Sequence, residues 1–388
     1  MRDAQAQALY DTMLETIKNA TSLYYESEYR SIVQGFERAT YSIWMEKPGF
    51  VRLEAGGCSG KKKGILVGDG EVFWIFWPTG RPRFSGDDPV EHSRSRSISF
   101  IRHVCPANQF SIAHATGWFG VGIGMTIFEP SVFHGSEDQM DPYLDGVVAG
   151  GREPVHDEEC HVIEASFMDG QRIRQYWLSK RNGLPRRLRQ IVRVKEEIVT
   201  EEEWRNVSVD EHIPVDAFSW APDPNWVEYH PPMLEEQLLK PGARAPDFEH
   251  LLADGTTFKL SGCRGKTVWL VFWRVGCQAC RAEMVYLESV HREYRERGLV
   301  VVGFNCADKH EIVAAFMKKH GISFPTILDH SNAAIRTFFE RYLKPDGPSG
   351  VPVNYIIRKD GIIADAWCDF AEEEDRGRRV LRAEIGAR

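Results

Sequence analysis

The sequence predicts an α+β protein of two domains: an N-terminal antiparallel β-sheet with one helix, then a mixed sheet flanked by helices. Three observations predict it. Up to about residue 220 the chain is mostly short strand-like runs separated by turn residues. Beyond residue 240, continuous apolar runs alternate with helix-period segments. Between them, APDPNWVEYHPPMLEEQLLKPGARAP carries Pro222, Pro224, Pro231, Pro232, Pro241 and Pro246, which no continuous helix or central strand tolerates. The expected layout is a first domain over 1–225, a proline-rich linker over 226–240 with the break near 235, and a second domain over 241–388.

The elements follow in order. Ala4–Lys18 predicts a helix with Leu9, Met13, Leu14 and Ile17 on one face. SLYYESEYR, ATYSIWMEK, FVRLEA, GILVG and EVFWIFW read as strands, as do CHVIEASF, IRQYWLSK, RRLRQIVRVK and EWRNVSVDE later. Ser85–Gly150 is less regular, and Gly117–Gly124 holds too much glycine to assign as helix or strand. In the second domain PDFEHLLADGTTFKL predicts a hairpin around Asp254–Gly255, and KTVWLVFW a strand buried on both faces. Cys280–Arg297 predicts a helix with Met284, Leu287, Val290, His291 and Tyr294 inward and Gly298 as its stop. LVVVGFN is a second buried strand. Asp308 and Glu311 suggest a capping box for a helix ending at Gly321. ISFPTIL, a short helix near Ala333, a hairpin VNYIIRKDGIIADAW turned at Lys359–Gly361, and a helix over Glu372–Ile385 complete the chain.

Net charge is −8, which is not the footprint of a nucleic-acid binder. The basic stretch Arg181–Lys195 reads as a solvated strand face, with an anionic-lipid or partner patch as the alternative. No apolar run reaches the roughly 18 residues a spanning helix needs. The opening MRDAQAQALYDTM shows no signal-peptide core, which taken literally implies the cytosol. The eight cysteines are too few for a disulfide scaffold in a chain this long. Cys58, Cys105, Cys160, Cys263, Cys306 and Cys368 read as small buried hydrophobes rather than bridges.

One pair, in FWRVGCQACRAE, has a motif spacing. Zinc would need two further ligands, and His250 and His291 are too loosely spaced to supply them. An inert clip closing so small a loop is a second alternative. The redox reading fits the local geometry. Cys277 falls where a strand ends and a helix begins, and the unpaired N–H groups there favour a thiolate. Cys277 is then the attacking nucleophile and Cys280 the resolving thiol. Glu283, three residues on and on the same helical face, is placed to handle the proton of Cys280 if it is buried; a solvated helix glutamate is the alternative.

With PGARAPDF, GTTFKLSGCRGK, FWRVGCQAC, GLVVVGFN, HGISFPTILD and GVPVNYIIRKDG in this order, residues 240–388 resemble the thioredoxin superfamily, specifically TlpA/ResA-like thiol-disulfide oxidoreductases and their AhpC/TSA relatives. The resemblance implies a thioredoxin-like α/β/α mixed sheet. It implies a cis-proline facing the cysteines, matched by Pro352, and a buried glutamate, matched by Glu283. It implies no separate cofactor and no metal, the redox group being the Cys277–Cys280 disulfide. Its partners would be a protein disulfide or dithiol client and an upstream electron donor. Three positions depart from the family pattern: Gly276 stands for the usual Trp, Gln278-Ala279 lacks the usual proline, and Val285 replaces another proline. Potential and partner choice are what these changes leave open. A peroxidase is the related alternative, but Phe272–Gly276 offers no hydroxyl for peroxide.

The strands of 1–225, with ECHVIEAS, YWLSKRNGLPRRLRQI and NVSVDEHIPVDAFSWAPDP in succession, are similar to LolA/LolB-like lipoprotein carriers. That implies a curved, half-barrel antiparallel sheet with one helix around an apolar cavity, and a lipid or lipoprotein ligand. Trp44, Phe73, Trp74, Phe76, Trp77, Trp118 and Trp177 would either line that cavity or fill a core. Two further function classes stand beside the oxidoreductase: a lipophilic-ligand carrier and a metal chaperone. Both resemblances imply a periplasmic or other extracytoplasmic location, with the cytoplasm as the alternative.

Overall fold

The computed structural model describes residues 3–32, 38–57, 62–78, 80–81, 99–105, 107–120, 127–193, 197–230, 234–252, 255–329, 331, 333–340, 350–370 and 375–386. Cys58 and Asp254 lie outside the described residues, as do parts of the Gly117–Gly124, Arg181–Lys195 and Glu372–Ile385 stretches. The chain divides into two compact units, Met1–Pro231 and Pro232–Arg388.

The first unit opens with α1 (Ala4–Asn19). Its cap is Asp3, whose carboxylate accepts the N–H groups of Gln5 at 2.9 Å and Ala6 at 3.2 Å. The helix buries Ala6, Tyr10, Met13 and Ile17, so its inward stripe is rotated from the expected one and Leu9 and Leu14 flank it. The strands β1 (Ser22–Ser31), β2 (Ala39–Glu46), β3 (Phe50–Gly57), β4 (Lys62–Asp69), β5 (Val72–Phe76) and β6 (Ser99–Val104) come next. After α2 (Gln109–Gly120) follow β7 (Leu144–Val155), β8 (Glu158–Phe167), β9 (Arg172–Ser179), β10 (Pro185–Arg193), β11 (Glu197–Val209) and the short β12 (Val227–Glu228). Among the described residues these make one sheet, ordered β12-β6-β5-β4-β3-β2-β1-β11-β10-β9-β8-β7. All pairs are antiparallel except β12 on β6.

Alternation explains this sheet residue by residue. β2 buries Ala39, Tyr41, Ile43 and Met45 and turns the residues between them outward. The aromatic side chains do not share one site. Phe73 and Trp77 belong to the main core, beside Tyr25 stacked on Trp204 with ring centroids 3.7 Å apart. Trp74 and Phe76 alternate to the other face and cluster with Phe100, Trp220 and Trp226. Trp177 sits in a third cluster with Val155, Cys160 and Val162.

The second unit begins with the hairpin β13 (Glu249–Leu251) and β14 (Thr257–Lys259). Then come β15 (Thr267–Trp273), α3 (Gln278–Tyr294), β16 (Leu299–Asn305), α4 (His310–His320), β17 (Thr326–Leu328), α5 (Ala333–Thr337), β18 (Val353–Ile357), β19 (Ile363–Cys368) and α6 (Arg376–Ile385). The sheet order is β17-β16-β15-β18-β19. β15, β16 and β17 run parallel, and β18 and β19 are antiparallel additions, so the sheet is mixed. Every residue of β15 is buried, as a central strand requires. Gly298 follows α3 and Gly321 closes α4, both left-handed with φ of +91° and +63°. Within 226–240, Val227–Glu228 joins the first sheet while Leu238 is buried in the core of the second unit.

Candidate functional site: the dithiol at the head of α3

The site forms where β15 stops. Arg274–Gly276 turns the chain, and Cys277 becomes the N-cap of α3 with φ −92° and ψ +118°. Its sulfur accepts the N–H of Cys280 at 3.2 Å, the capping role a serine or aspartate oxygen usually takes. Cys277 is half-buried, Cys280 fully buried, and the two are joined as a disulfide with Cα atoms 5.2 Å apart. One sulfur is thus open to a partner and the other shielded behind it. The exposed one sits at the helix N-terminus and accepts the Cys280 N–H, which favours a thiolate when the pair is reduced.

The chain closes on this sulfur from the other side. The Val351 carbonyl oxygen lies 3.2 Å from Cys277 Sγ. The next peptide bond, Val351–Pro352, is cis. Pro352 is buried, and its carbonyl accepts the Asp369 N–H at 3.0 Å, tying it to the end of β19.

Glu283 lies one turn below Cys280 and is 1% exposed. Burial pushes its carboxyl well above the usual carboxylate range; Asp369 adds to the rise and the Asn354 amide opposes it. Asn354 Nδ2 donates to Glu283 Oε1 at 2.8 Å. The structure thus brings Cys277, Cys280 and Pro352 together at the head of α3, with Glu283 beneath them.

Three polar groups here carried no sequence signal that was read as functional. The N-cap position of α4 is Lys309, not Asp308, and Lys309 makes no side-chain cap bond. Instead Asp308 is buried and its carboxylate accepts the Val275 N–H at 2.6 Å and Asn305 Nδ2 at 2.8 Å. Arg281 Nη1 donates to the Val275 carbonyl at 2.9 Å, so both polar groups of Val275 are held from outside the turn. The third is Asn354. A lone polar residue inside the apolar run VNYII must find a buried partner, and that rule would have flagged it.

Cys105, Cys160, Cys263, Cys306 and Cys368 are free thiols. Burial pushes Cys306 up to about 12 and raises Cys368 strongly, which makes both poor nucleophiles. Among the described residues no group of three His, Cys, Asp or Glu side chains converges as a metal site would.

Residues 241–366 match the AhpC/TSA family model. The chain is 26% identical over 131 residues to the thiol-disulfide oxidoreductase ResA of Bacillus thuringiensis strain Al Hakam, covering 34% of this chain and 71% of that protein. ResA of Bacillus cereus strain ATCC 10987 is 28% identical over 127 residues, covering 33% and 69%. The C-terminal unit is a TlpA/ResA-like thioredoxin-fold domain. A crystal structure of a thiol:disulfide interchange protein of the thioredoxin family from Chlorobium tepidum TLS is 24% identical, with a TM-score of 0.33, covering 38% of this chain and 99% of that one. The chain is an oxidoreductase, and the Cys277–Cys280 disulfide gives its thioredoxin-fold domain a redox role. No helix among the described residues is long and apolar enough to cross a membrane.

Proposed function

We propose that the thioredoxin-fold domain exchanges two electrons with a disulfide or dithiol in a client protein, through Cys277 and Cys280. The observation that carries this reading is the half-exposed Cys277 sulfur at a helix N-terminus, bonded to a fully buried Cys280. In the reducing direction the Cys277 thiolate attacks one sulfur of the client disulfide. The client S–S bond breaks, and its second sulfur leaves as a thiolate that takes up a proton. Cys280 then loses its proton to the ionised Glu283 and attacks Cys277 Sγ. The mixed bond breaks, the second client thiol is released, and Cys277–Cys280 is left oxidised. A donor dithiol reverses these steps: its thiolate attacks Cys277, and neutral Glu283 protonates the departing Cys280 sulfur. Val351 and Pro352 flank the attacked sulfur and align an extended client segment against it.

For the first unit we propose client choice, with a LolA-like half-barrel and lipid or lipoprotein binding as the narrower form of that reading. The order of one leading helix and a long antiparallel sheet favours it; the division of its aromatic residues among separate clusters does not. Quenching of tryptophan fluorescence by a fatty acid separates the two. The same resemblances support an extracytoplasmic setting, which cell fractionation tests.

The main test is a pair of variants. Cys277→Ser abolishes dithiol-dependent reduction of insulin, and Cys280→Ser accumulates a mixed disulfide through Cys277 that non-reducing electrophoresis detects. Undiminished turnover by Cys277→Ser overturns the proposal.

A further inference from the structure

We propose that Asn354 is a positioning residue for the dithiol's proton: locked by Trp269, it holds Glu283 by Oε1 and leaves Oε2 as the oxygen that carries the exchangeable proton. The inference rests on the reading that Glu283 exchanges a proton with Cys280.

The argument begins with sheet geometry. Trp269 and Val271 alternate onto one face of β15, and Asn354 and Ile356 lie opposite Val271 and Trp269 on β18. Trp367 of β19 lies opposite Asn354 in turn. All five therefore share one face. Trp269 Nε1 donates to Asn354 Oδ1 at 2.8 Å, and both residues are buried. An indole nitrogen can only donate, so it fixes which end of the amide is oxygen. Nδ2 must then point the other way, where Glu283 Oε1 lies 2.8 Å off. The indole cannot swing aside. Trp367 packs edge-on at 5.4 Å, and the ring so fills the space over Gly377 of α6 that a Cβ there would meet it at 1.8 Å.

The consequence for Glu283 is chemical. Oε1 accepts an N–H in either protonation state, and an oxygen carrying its own hydrogen is the poorer acceptor. The proton of the neutral acid therefore belongs on Oε2, a buried oxygen with no hydrogen-bond partner among the described residues. The groups that interact electrostatically with Glu283 are Cys368, which ends β19, and Asp369 just after it, while Cys280 lies one turn earlier on α3. None of them donates to Oε2, so the exchangeable proton is not trapped in a second hydrogen bond.

The test uses the full-length reduced protein and 5,5′-dithiobis(2-nitrobenzoic acid) in stopped flow. The concentration-independent release reports Cys280 resolving the adduct at Cys277, and its rate is followed against pH. Glu283→Gln should remove an inflection from that profile. Asn354→Leu should move the inflection up by about one pH unit and slow the step about tenfold at pH 7, because the lost N–H favoured the carboxylate. Trp269→Phe, which frees the amide to turn its oxygen toward Glu283, should move it in the same direction by less. If Glu283→Gln removes the inflection while both other variants leave it in place, the positioning role of Asn354 is overturned and the reading of Glu283 survives. If Glu283→Gln leaves the profile unchanged, that reading fails and the inference with it.

Discussion

The carboxylate of Asp308 accepts the backbone N–H of Val275 at 2.6 Å, reaching it across 33 residues of chain from a buried position. With Arg281 on the carbonyl of the same residue, it sets the turn that delivers Cys277 to the helix. Asp308→Ala leaves a buried donor without its acceptor and should destabilise the second unit by about 1–3 kcal/mol. It should also slow alkylation of Cys277. Asp308→Asn can still accept that N–H and should lose less of both. Urea unfolding and timed iodoacetamide labelling measure the two effects.

Thiol reactivity should separate sharply along the chain. Cys277 caps a helix and is half-open, whereas Cys306 is buried and pushed up to about 12. In reduced protein at pH 8, iodoacetamide should modify Cys277 first. Cys306 should react only once denaturant opens the fold, and Cys368, half-buried but with a strongly raised thiol, should lag well behind Cys277. Peptide mass spectrometry reads the order, and early labelling of Cys306 contradicts it.

A second pH dependence belongs to the first unit. Burial pushes Glu202 up to about 7, although Oε2 accepts the Ile127 N–H at 2.7 Å and Oε1 accepts Trp204 Nε1–H at 3.0 Å. An unfolded glutamate titrates near 4.3, so between about pH 4.3 and 7 the folded state binds more protons. The stability this group contributes is therefore full below that window and falls as pH rises through it, by about 4 kcal/mol. Hydrogen exchange of the β11 amides should show the decline. Glu202→Gln should flatten it, but should cost about 1–3 kcal/mol because an amide NH2 then faces one of the two donors.

Gly377→Ala should unseat α6. Its Cβ would lie 1.8 Å from the Trp269 ring, and neither the indole nor the helix can yield without losing contacts. Overpacking of this kind costs about 1–3 kcal/mol. Limited proteolysis should cut before Arg376 faster than in the parent protein.

How far the fold could be read in advance depended on how each residue is exposed. β2 and β15 were legible because burial forces alternation in one and a continuous apolar run in the other. β7 was hidden within an irregular stretch for the opposite reason. It is the edge of its sheet, and Ala149–Pro154 are all exposed, so no pattern marks it. α2 contains Gly117, which weakens any helical reading, yet Ile112, Ala115, Thr116 and Phe119 anchor it. At the site, the spacing of Cys277 and Cys280 and the helix start spoke for themselves. Asp308 suggests a cap because capping is a local pattern, whereas its carboxylate also takes a backbone N–H from 33 residues away, which no local pattern signals. Asn354 likewise acts through tertiary partners on β15 and α3.

Pro352 and Asn354 stand two residues apart, one just ahead of β18 and the other within it. At strand spacing two residues cover about 7 Å, so the two positions are close along the backbone. Under the proposed function the proline end is the one that meets a client, while the asparagine end holds the buried acid. A single short length of backbone joins the two, so the group that would touch the client and the group that grips the acid share one strand.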